Sequence, residues 1–400
     1  MLGNSKKVIH CKSCVLTNQK PHSMNESRNK VNGKKSFLKI HPDGVCDACK
    51  YSNKKNYNIN WAQREKKLVK LLNQYRKSNG DYDCIVPGSG GKDSCTVSHI
   101  LKYRYKMNPL TVTFAPTIYT DIGKKNMDSW INTGGFDNYL FKRNGKVSSI
   151  LTREAFQNLL HPMQPFKFGI KTFAAKMALK FNIKLIFYGE PFTEYGSYNT
   201  SKADSPNFPL EMLAYDNSPF IAGLSIKKLK KKYGFSSNDL SPYMPIKTDF
   251  LRKKDIKIHF LGWYLKWNPQ EIYYYATKHC GYSPDTQRID GTYGRYAGVD
   301  DKIEWLHFFC HYIKFGIGRC RLDASQEIRS GHISREEAIM LCKKYEGEVP
   351  TRYLNDCFKF MGLSNKAAWK IIDKFRPKHL WKKKKSRWVR KQELKGIFNE

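Results

Sequence analysis

The segment GSGGKDSC, residues 88–95, decides the fold that the sequence predicts. It follows the apolar run YDCIVP, residues 82–87, and precedes a stretch in which apolar residues recur with helical spacing. The segment therefore occupies a strand-to-helix turn. Glycines there let backbone N–H groups approach an anion, and the helix N-terminus adds a favourable dipole. This combination predicts a phosphate-binding loop.

Two common phosphate-binding patterns do not fit the segment. A Walker A loop requires G-x-x-x-x-G-K-[ST], but Val86 stands at the first glycine position and Asp93 follows the lysine. No G-x-G-x-x-G pattern can be placed here either. In the remaining pattern, S-G-G-K-D-S, Lys92 adds positive charge and the hydroxyls of Ser89 and Ser94 can donate to phosphate oxygens. Asp93 would repel a bare phosphate, so we expect it to hold Mg²⁺.

The hexapeptide resembles the signature of the ATP pyrophosphatases, or PP-loop enzymes. These enzymes cleave ATP between the α and β phosphates and adenylate an oxygen, and a nitrogen or sulfur nucleophile then displaces AMP. A tight glycine turn without a ligand is the structural alternative. The resemblance implies an ATP-binding loop formed by Ser89, Gly90, Gly91, Lys92, Asp93 and Ser94.

Strands and helices alternate on both sides of the loop. The strands predicted at 82–87, 110–115, 138–141 and 183–190 are nearly unbroken apolar runs, typical of a parallel sheet covered on both faces. Ligands bind such sheets at the carboxyl ends of the strands, where the loop and the YGEP segment at 188–191 both fall. Residues 251–400 are predicted to be mostly helical.

Two C-x-x-C pairs, Cys11 with Cys14 and Cys46 with Cys49, are separated by 31 residues. In a reducing compartment two such pairs are typical of a tetrahedral thiolate zinc site. A module this small with few large apolar side chains also needs a metal to fold. With four protein ligands the zinc would be structural. Redox or iron–sulfur use and four free cysteines are the alternatives.

The formal net charge of +36, from 71 Lys and Arg against 35 Asp and Glu, favours anionic partners, although a generally basic surface also explains it. The densest basic run, WKKKKSRWVRK at 381–391, is predicted to be a solvated terminal helix or a frayed tail. No apolar run is long enough for a membrane span and no secretory signal is recognisable. We therefore expect a cytoplasmic protein.

Longer stretches resemble one family, the N-acetyl sugar amidotransferases of bacterial surface-polysaccharide and pseudaminic or legionaminic acid synthesis. The resemblance covers nearly the whole chain. It includes DGVCDAC, PTIYTDIGKKNMDSWINTGGFDNYLF, YGEPFTEYG, LGWYLKW, DGTYGRYAGVDDKIEWLHFFCHYIKFGIGR, EIRSGHISREEA and YEGEVP.

This resemblance implies an α/β fold with three parts: a zinc module at 1–58, a parallel-sheet PP-loop domain (adenine nucleotide alpha hydrolase-like) at 59–250, and a mostly helical substrate or partner region at 251–400. The implied enzyme is an AMP- and pyrophosphate-forming carbon–nitrogen ligase that uses ATP, Mg²⁺ and Zn²⁺. It would convert an acetamido group of a sugar to an acetamidino group through an O-adenyl imidate.

Ammonia for this reaction would have to come from another protein. A class II glutaminase needs a cysteine directly after Met1, where Leu2 stands, and a triad glutaminase needs a G-x-C-x-G elbow that the sequence lacks. The resemblance implies a separate glutaminase with a cyclase-like partner. No persulfide-carrying cysteine is identifiable, although Cys280 and Cys320 stay open for that role.

The resemblance also assigns residues beyond the loop. Thr113 and Phe114 stand where PP-loop enzymes contact adenine, partly through the backbone, and Gly189 is also expected to bind ATP. Gly189 and Glu190 end a later strand, and Glu190 is expected to be catalytic with Lys92 and Asp93, as a second Mg²⁺ or substrate ligand. A polar block is expected to contact the sugar or close over ATP, with solvated or salt-bridged charges as the alternative; its residues are Asp300, Asp301, Lys302, Lys314 and Arg319.

Two other functions compete with this interpretation. A tRNA-modifying PP-loop enzyme, a thiolase or lysidine synthetase, would use the same ATP chemistry and suit the basic charge. A non-catalytic zinc protein that binds nucleic acid is the third possibility. We recognise no RNA-binding module after the predicted sheet, and the loop sequence is intact, so nucleic acid is not the expected partner.

Overall fold

A computed structural model describes residues 7–22, 36–196, 205–210, 213 and 220–391 of the chain. The strands are β1 Cys84–Pro87, β2 Pro109–Phe114, β3 Asn138–Phe141, β4 Leu185–Tyr188, β5 Phe220–Ile221, β6 Leu224–Ser225, β7 Lys257–Phe260, β8 Trp381–Lys384 and β9 Arg387–Arg390.

The helices of the first half of the chain are α1 Asp47–Tyr57, α2 Trp61–Tyr75, α3 Lys92–His99, α4 Asp121–Asn132, α5 Gly145–Leu159 and α6 Gln164–Phe181. Those of the second half are α7 Ile226–Tyr233, α8 Ser237–Leu240, α9 Thr248–Lys253, α10 Leu261–Tyr264, α11 Pro269–Cys280, α12 Lys302–Phe315, α13 Arg319–Ser330, α14 Arg335–Tyr345, α15 Thr351–Phe360 and α16 Asn365–Lys374. A π-helical turn, Ile100–Arg104, extends α3, and 3₁₀ turns form at Phe192–Tyr195 and Ser241–Tyr243.

The main sheet is five-stranded and parallel, in the order β3-β2-β1-β4-β7. From β1 the chain proceeds outward to β2 and β3, then returns to place β4 on the other side of β1. Ligands of open α/β sheets bind at such a switch point, outside the carboxyl ends of the strands. The loop after β1 and the segment after β4 therefore meet at this crevice, and the predicted α/β fold with a parallel sheet is confirmed.

The central strands form because their apolar runs are buried on both faces of the sheet. Ile85 on β1 lies in register with Leu110 on β2 and with Ile186 on β4, and all three side chains are buried. The fifth strand, β7, was not predicted, because its sequence KIHF is not an apolar run and helix α10 follows directly. It lies beyond residue 250, so the sheet draws on both of the ranges predicted as separate domains.

The C-terminal region is mostly helical as predicted, and Ser334 and Glu337 form the expected capping box on α14. The prediction for residues 381–391 was wrong, because β8 and β9 form an antiparallel hairpin there. The buried ring of Trp381 anchors it, with Nε1–H donating to the Ile313 carbonyl oxygen at 2.8 Å. Among the described residues, no helix has the length and apolar character needed to cross a membrane.

Candidate functional site

The phosphate-binding loop leads directly into helix α3. Gly91 is the N-cap residue, and no side chain of the described residues caps this N-terminus. The hydroxyl of Ser94 donates to the Gly91 carbonyl oxygen at 2.9 Å, so it braces the loop from inside. Unpaired N–H groups at a helix N-terminus attract an anion. The loop thus has the backbone arrangement of an anion site.

Close packing against helix α4 explains the glycine at position 90. Gly90 has φ +81°, and a Cβ atom there would lie 2.7 Å from the Asn126 carbonyl oxygen and the Met127 backbone nitrogen. An L-residue would therefore be strained by its φ and would also collide with helix backbone. Gly88 is equally constrained, since its Cβ would lie 2.1 Å from that of Ser94.

Lys92 and Asp93 form an ion pair at the start of α3. The Lys92 Nζ atom lies 2.6 Å and 2.8 Å from the two carboxylate oxygens of Asp93. The lysine side chain is 7% exposed and the aspartate side chain 36% exposed. The pair therefore places a buried cation beside the loop and a carboxylate at the cavity surface.

Glu190 follows strand β4 and faces the same crevice. The Tyr195 hydroxyl donates to Glu190 Oε1 at 2.6 Å. Desolvation, and next the negative charge of Asp93, raise the pKa of Glu190 from its ordinary 4.5 to about 7, against the lowering effect of Lys92 and Tyr195. Asp93 and Glu190 thus come from neighbouring strand ends and repel each other. Two carboxylates in this relation fit Mg²⁺, which prefers hard oxygen ligands and would relieve the repulsion.

One cavity of about 680 Å³ connects the loop with the C-terminal region. It is lined by Gly88–Asp93 and Glu190 on the sheet side and by Asp300, Glu304 and Arg319 on the other. Desolvation raises the pKa of Asp300, and nearby Ser89 lowers it. The C-terminal region therefore shares the cavity with the phosphate-binding loop.

The structure brings three of the five polar C-terminal residues to the cavity: Asp300, Lys314 and Arg319. Within its wall, Lys314 Nζ donates to the Leu159 carbonyl oxygen at 2.6 Å, and Arg319 Nε donates to Asp323 at 2.8 Å.

The other two, Asp301 and Lys302, do not line the cavity. Asp301 caps helix α12 by accepting from the Ile303 N–H at 2.9 Å, and it also accepts from the N–H groups of Thr117 and Ile118. Lys302 pairs with Asp356 at 2.6 Å. The ion pair of Lys302 agrees with the salt-bridged alternative that the sequence left open, whereas the helix-capping role of Asp301 was not foreseen.

Of the two residues expected to contact adenine, only Phe114 lines the cavity. The Phe114 ring lines the cavity, and the Arg143 guanidinium carbon lies 4.7 Å from its centroid. The Thr113 hydroxyl faces away from the cavity, toward α4 and β3, and accepts from Asn138 Nδ2 at 3.0 Å. Gly189 lines the cavity beside Glu190.

Sequence reasoning missed several polar residues of the cavity. Desolvation, and next the charge of Asp300, raise the pKa of Glu304 to about 7, while Arg319 lowers it. Glu304, His307 and His311 recur at helical spacing on α12, which was a usable signal, since such residues share one face. Others, among them Lys167 and Lys171, come from a different helix, α6, whose proximity no local pattern reveals.

The four predicted zinc ligands converge. The Sγ atoms of Cys11 and Cys49 lie 4.0 Å apart and those of Cys14 and Cys46 lie 3.8 Å apart, and all four cysteines are buried. Zinc–sulfur bonds of about 2.3 Å give a regular tetrahedron with edges of about 3.8 Å. The four sulfurs therefore fit a single tetrahedral ion. The same module contributes Leu16, Lys20 and His22 to the cavity.

Residues 290–395 match the family model described as "LPS biosynthesis protein WbpG-like, C-terminal domain". An uncharacterized protein of Methanocaldococcus jannaschii is 33% identical over 78 residues, which cover 20% of this chain and 27% of that protein. The chain thus matches about a quarter of the length of this curated relative.

Among solved structures, an NH3-dependent NAD synthetase from Campylobacter jejuni aligns with 57% of this chain and all of its own, at 13% identity and TM-score 0.27. An NMN synthetase from Francisella tularensis aligns with 55% of this chain and 94% of its own, at 13% identity and TM-score 0.28. A U34-tRNA thiolase from Methanococcus maripaludis, solved with its 4Fe-4S cluster, aligns with 86% of this chain and 88% of its own, at 10% identity and TM-score 0.33. Likenesses of this size carry no functional conclusion.

The family match agrees with the resemblance to surface-polysaccharide enzymes drawn from the sequence. It falls on the region that supplies Asp300, Glu304 and Arg319 to the cavity.

Proposed function

We propose that this chain is an ATP-dependent amidotransferase that converts the acetamido group of a bacterial surface sugar to an acetamidino group. The observation that carries the proposal is the shared cavity. A PP-loop sequence and the region that matches the WbpG-like C-terminal domain model line it together, with Ser89 of the loop close enough to Asp300 of that region to lower its pKa. ATP bound at the loop would therefore meet a sugar held by the C-terminal region.

The loop is suited to the pyrophosphate part of ATP. The N–H groups at the start of α3 offer hydrogen bonds, and Lys92 supplies positive charge beside them. Phe114 is almost fully buried but lines the cavity, so it would contribute part of an apolar wall for adenine. Asp93 and Glu190 would hold Mg²⁺, which supplies charge neutralisation for the departing pyrophosphate.

The proposed chemistry begins with attack of the acetamido oxygen on the α-phosphorus of ATP. The bond from that phosphorus to the bridging oxygen breaks, pyrophosphate leaves, and an O-adenyl imidate remains. Ammonia then attacks the imidate carbon, AMP leaves with the former amide oxygen, and the amidine retains the new nitrogen. Lys92 would stabilise the negative charge that develops on the leaving pyrophosphate, which is typically a large contribution to such catalysis.

The cavity also offers groups for the second half-reaction. Ammonia loses a proton as it becomes the amidine nitrogen, and a carboxylate with a pKa near neutrality can accept that proton. Glu304, whose pKa is raised to about 7, lines the cavity and is paired with Arg319 at 3.5 Å. We infer that ammonia reaches this site from a separate glutaminase with a cyclase-like partner, because the sequence carries no glutaminase motif. The four-cysteine site would hold Zn²⁺ in a structural role, since all four ligands are protein thiolates.

AMP formation by the purified chain tests the proposal, with ATP, Mg²⁺, ammonium chloride and a panel of acetamido sugars. Asp300→Asn should reduce sugar-dependent AMP formation at least about tenfold, because it removes a negative charge from the cavity wall that faces the loop. Asp356→Asn is the matched control, since Asp356 pairs with Lys302 outside the cavity. AMP formation that requires bulk tRNA and ignores every sugar would instead support the tRNA-modifying alternative.

A further inference from the structure

The zinc module contacts the turn that follows Glu190 through a buried ion pair. Lys55 lies on α1, the helix that begins directly after Cys46 and carries Cys49 in its first turn. The Lys55 Nζ atom lies 2.7 Å from Oε2 of Glu194, and the two side chains are 6% and 7% exposed. The ion pair therefore joins the module to the segment after β4 at a place that is largely shielded from water.

Lys55 is the cation that compensates the buried charge of Glu194. The second carboxylate oxygen of Glu194, Oε1, is buried and accepts no hydrogen bond from any described residue. Arg329 donates to the backbone carbonyl oxygen of Glu194 at 2.9 Å, which supports the turn but leaves the carboxylate to Lys55. Removing one partner of a buried ion pair is strongly destabilising, because the remaining charge is desolvated and uncompensated. The position of the turn is therefore tied to Lys55.

Lys55 also contacts the residue that packs against Gly189. Its Nζ atom donates to the Trp267 carbonyl oxygen at 3.0 Å. The Trp267 ring covers Gly189, since a Cβ atom on this glycine would lie 3.0 Å from Cζ2 of the ring. Gly189 directly precedes Glu190 in the chain. One ammonium group therefore supports the backbone on both sides of Glu190.

Close packing joins the module to the same turn at its end. Gly196 follows the 3₁₀ turn Phe192–Tyr195 and has φ +60°. A Cβ atom there would lie 2.9 Å from Cδ1 of Leu38 and 3.1 Å from the Cβ atom of Ala48, and both of these residues belong to the zinc module. The module therefore covers the turn too closely to admit a side chain at this position.

The turn directs the side chain that contacts Glu190. The Gly196 N–H group donates to the Thr193 carbonyl oxygen at 3.0 Å and closes the turn. From within this turn, the Tyr195 hydroxyl donates to Glu190 Oε1 at 2.6 Å. Partners that hydrogen-bond a metal-ligating carboxylate orient it, and losing one typically costs roughly 10–100-fold in metal affinity. A displaced turn would therefore withdraw the hydroxyl that orients Glu190.

We propose that the zinc module positions Glu190 as a cation ligand, acting through the Lys55–Glu194 ion pair and the Tyr195 hydroxyl. Lys55 and Tyr195 are then positioning residues, and the four thiolates fix the start of the helix that carries Lys55. This role of the module rests on the proposed function, in which Glu190 binds Mg²⁺. It extends from the folding of the module itself to the geometry of the ATP site.

Hydrogen exchange followed by mass spectrometry tests the contact between module and turn. In Lys55→Met, a peptide covering residues 189–196 should exchange at least about tenfold faster, because breaking a buried ion pair makes local opening easier. Elemental analysis should still find one zinc per chain, since Lys55 lies beyond Cys49, the last of the four ligands. Lys50→Met is the matched control, because Lys50 lies on the same helix but forms an exposed ion pair, with Asp43.

Gly196→Ala disturbs the same contact without removing a charge. The added methyl group would collide with Leu38 and Ala48, so the peptide covering 189–196 should again exchange at least about tenfold faster. Gly234→Ala is its matched control, because Gly234 has a similar φ of +68° and no atom within 4 Å of the position of its Cβ. This second variant decides the contact if Lys55→Met does not fold.

Calorimetry shows whether the link reaches Glu190, by comparing the affinity of a non-hydrolysable ATP analogue with and without Mg²⁺. Lys55→Met and Tyr195→Phe should each reduce the gain from Mg²⁺ about tenfold, while the affinity without Mg²⁺ stays within about twofold. The double variant should lose no more than about twofold beyond Tyr195→Phe, because both substitutions act through one hydroxyl. A general loss of folded structure would instead weaken binding with and without Mg²⁺ alike.

Unchanged exchange at residues 189–196 in both Lys55→Met and Gly196→Ala would overturn this role of the module. A gain from Mg²⁺ that is absent in the parent protein, or that both variants keep, would overturn it as well, and so would losses that multiply in the double variant. The proposed function fails separately. A gain from Mg²⁺ that depends on Lys55, without amidine formation from any sugar, would keep the positioning role and reject the reaction.

Discussion

Substitution of Gly90 gives a quantitative test of how the loop is built. Alanine at φ +81° adopts a left-handed conformation that costs about 1–2 kcal/mol. Its Cβ would also lie 2.7 Å from backbone atoms of Asn126 and Met127, which belong to helix α4 and cannot rotate away. Overpacking of this kind costs about 1–3 kcal/mol more. Gly90→Ala should therefore lose about 2–5 kcal/mol of the free energy of unfolding.

Gly80 provides a matched control for this prediction. It has nearly the same φ, +82°, but no atom lies within 4 Å of the position its Cβ would take. Gly80→Ala should therefore show only the conformational cost of about 1–2 kcal/mol. Urea unfolding followed by circular dichroism measures both variants, and AMP formation measures their function. Gly90→Ala should lose AMP formation, because the loop N–H groups shift with the displaced backbone, and Gly80→Ala should keep it.

The reasoning about the loop would be refuted by equal stability of the two variants. It would also be refuted if Gly90→Ala kept full AMP formation, because the loop would then tolerate a displacement that the packing against α4 makes unavoidable. The difference between the variants isolates the collision, since both carry the same backbone penalty.

Further predictions address the other parts of the structure. Lys92→Ala and Asp93→Ala should each reduce AMP formation by more than about 100-fold while elemental analysis still finds one zinc per chain, and retained turnover in both would remove the loop from the mechanism. Cys46→Ser should lose the metal and most of the soluble protein; a folded, metal-free and fully active variant would contradict a structural zinc. Glu190 has a pKa raised to about 7 in the folded nucleotide-free protein, so its contribution to stability is fully present below its unfolded pKa near 4.5 and is lost as pH rises through 7. Glu190→Gln should therefore flatten the fall in unfolding free energy across this window, and an unchanged pH profile would show that the residue does not titrate there. Trp381→Ala should cost about 3–5 kcal/mol, because it empties a buried site and removes the hydrogen bond to Ile313; an unchanged unfolding midpoint would mean that the hairpin does not support the helices beneath it.

Much of the sheet could be predicted because its strands are long enough and apolar enough to stand out locally. Strand β3 has the predicted bounds, Asn138–Phe141, and β2 differs from its prediction by one residue at each end. Strand β7 escaped because its sequence, KIHF, contains a charged and a polar residue and therefore gives no unbroken apolar run. The basic hairpin was missed because lysine favours helices and is depleted in strands, and because the hairpin depends on the buried contact that Trp381 makes with α12.

The residues of the candidate site could likewise be predicted only where a local sequence pattern contains them. The loop residues follow one another in sequence, so a local motif identifies them. Asp300, Asp301 and Lys302 are also consecutive, yet only Asp300 lines the cavity, because Asp301 caps α12 and Lys302 pairs with Asp356. The first turn of helix α12 therefore decides which of the three adjacent charged residues faces the cavity.

Contacts between segments that are far apart in the sequence could not be predicted from local sequence patterns. Lys167 and His307 are separated by 140 positions and meet only because α6 and α12 line the same cavity. The pKa of Glu190 is raised by its own burial and by the negative charge of Asp93. Both effects depend on β1 and β4 being neighbours in the sheet.

Mass spectrometry of the sugar product tests the central claim most directly. The purified chain would be incubated with ATP, Mg²⁺, ammonium chloride and acetamido sugars supplied free, nucleotide-linked and as nonulosonic acids. The proposal predicts one sugar whose mass falls by the difference between an oxygen atom and an NH group, with AMP and pyrophosphate formed in equal amounts and ¹⁵N from labelled ammonium in the product. Unchanged sugars throughout the panel, together with AMP formation that depends on added tRNA, would contradict it.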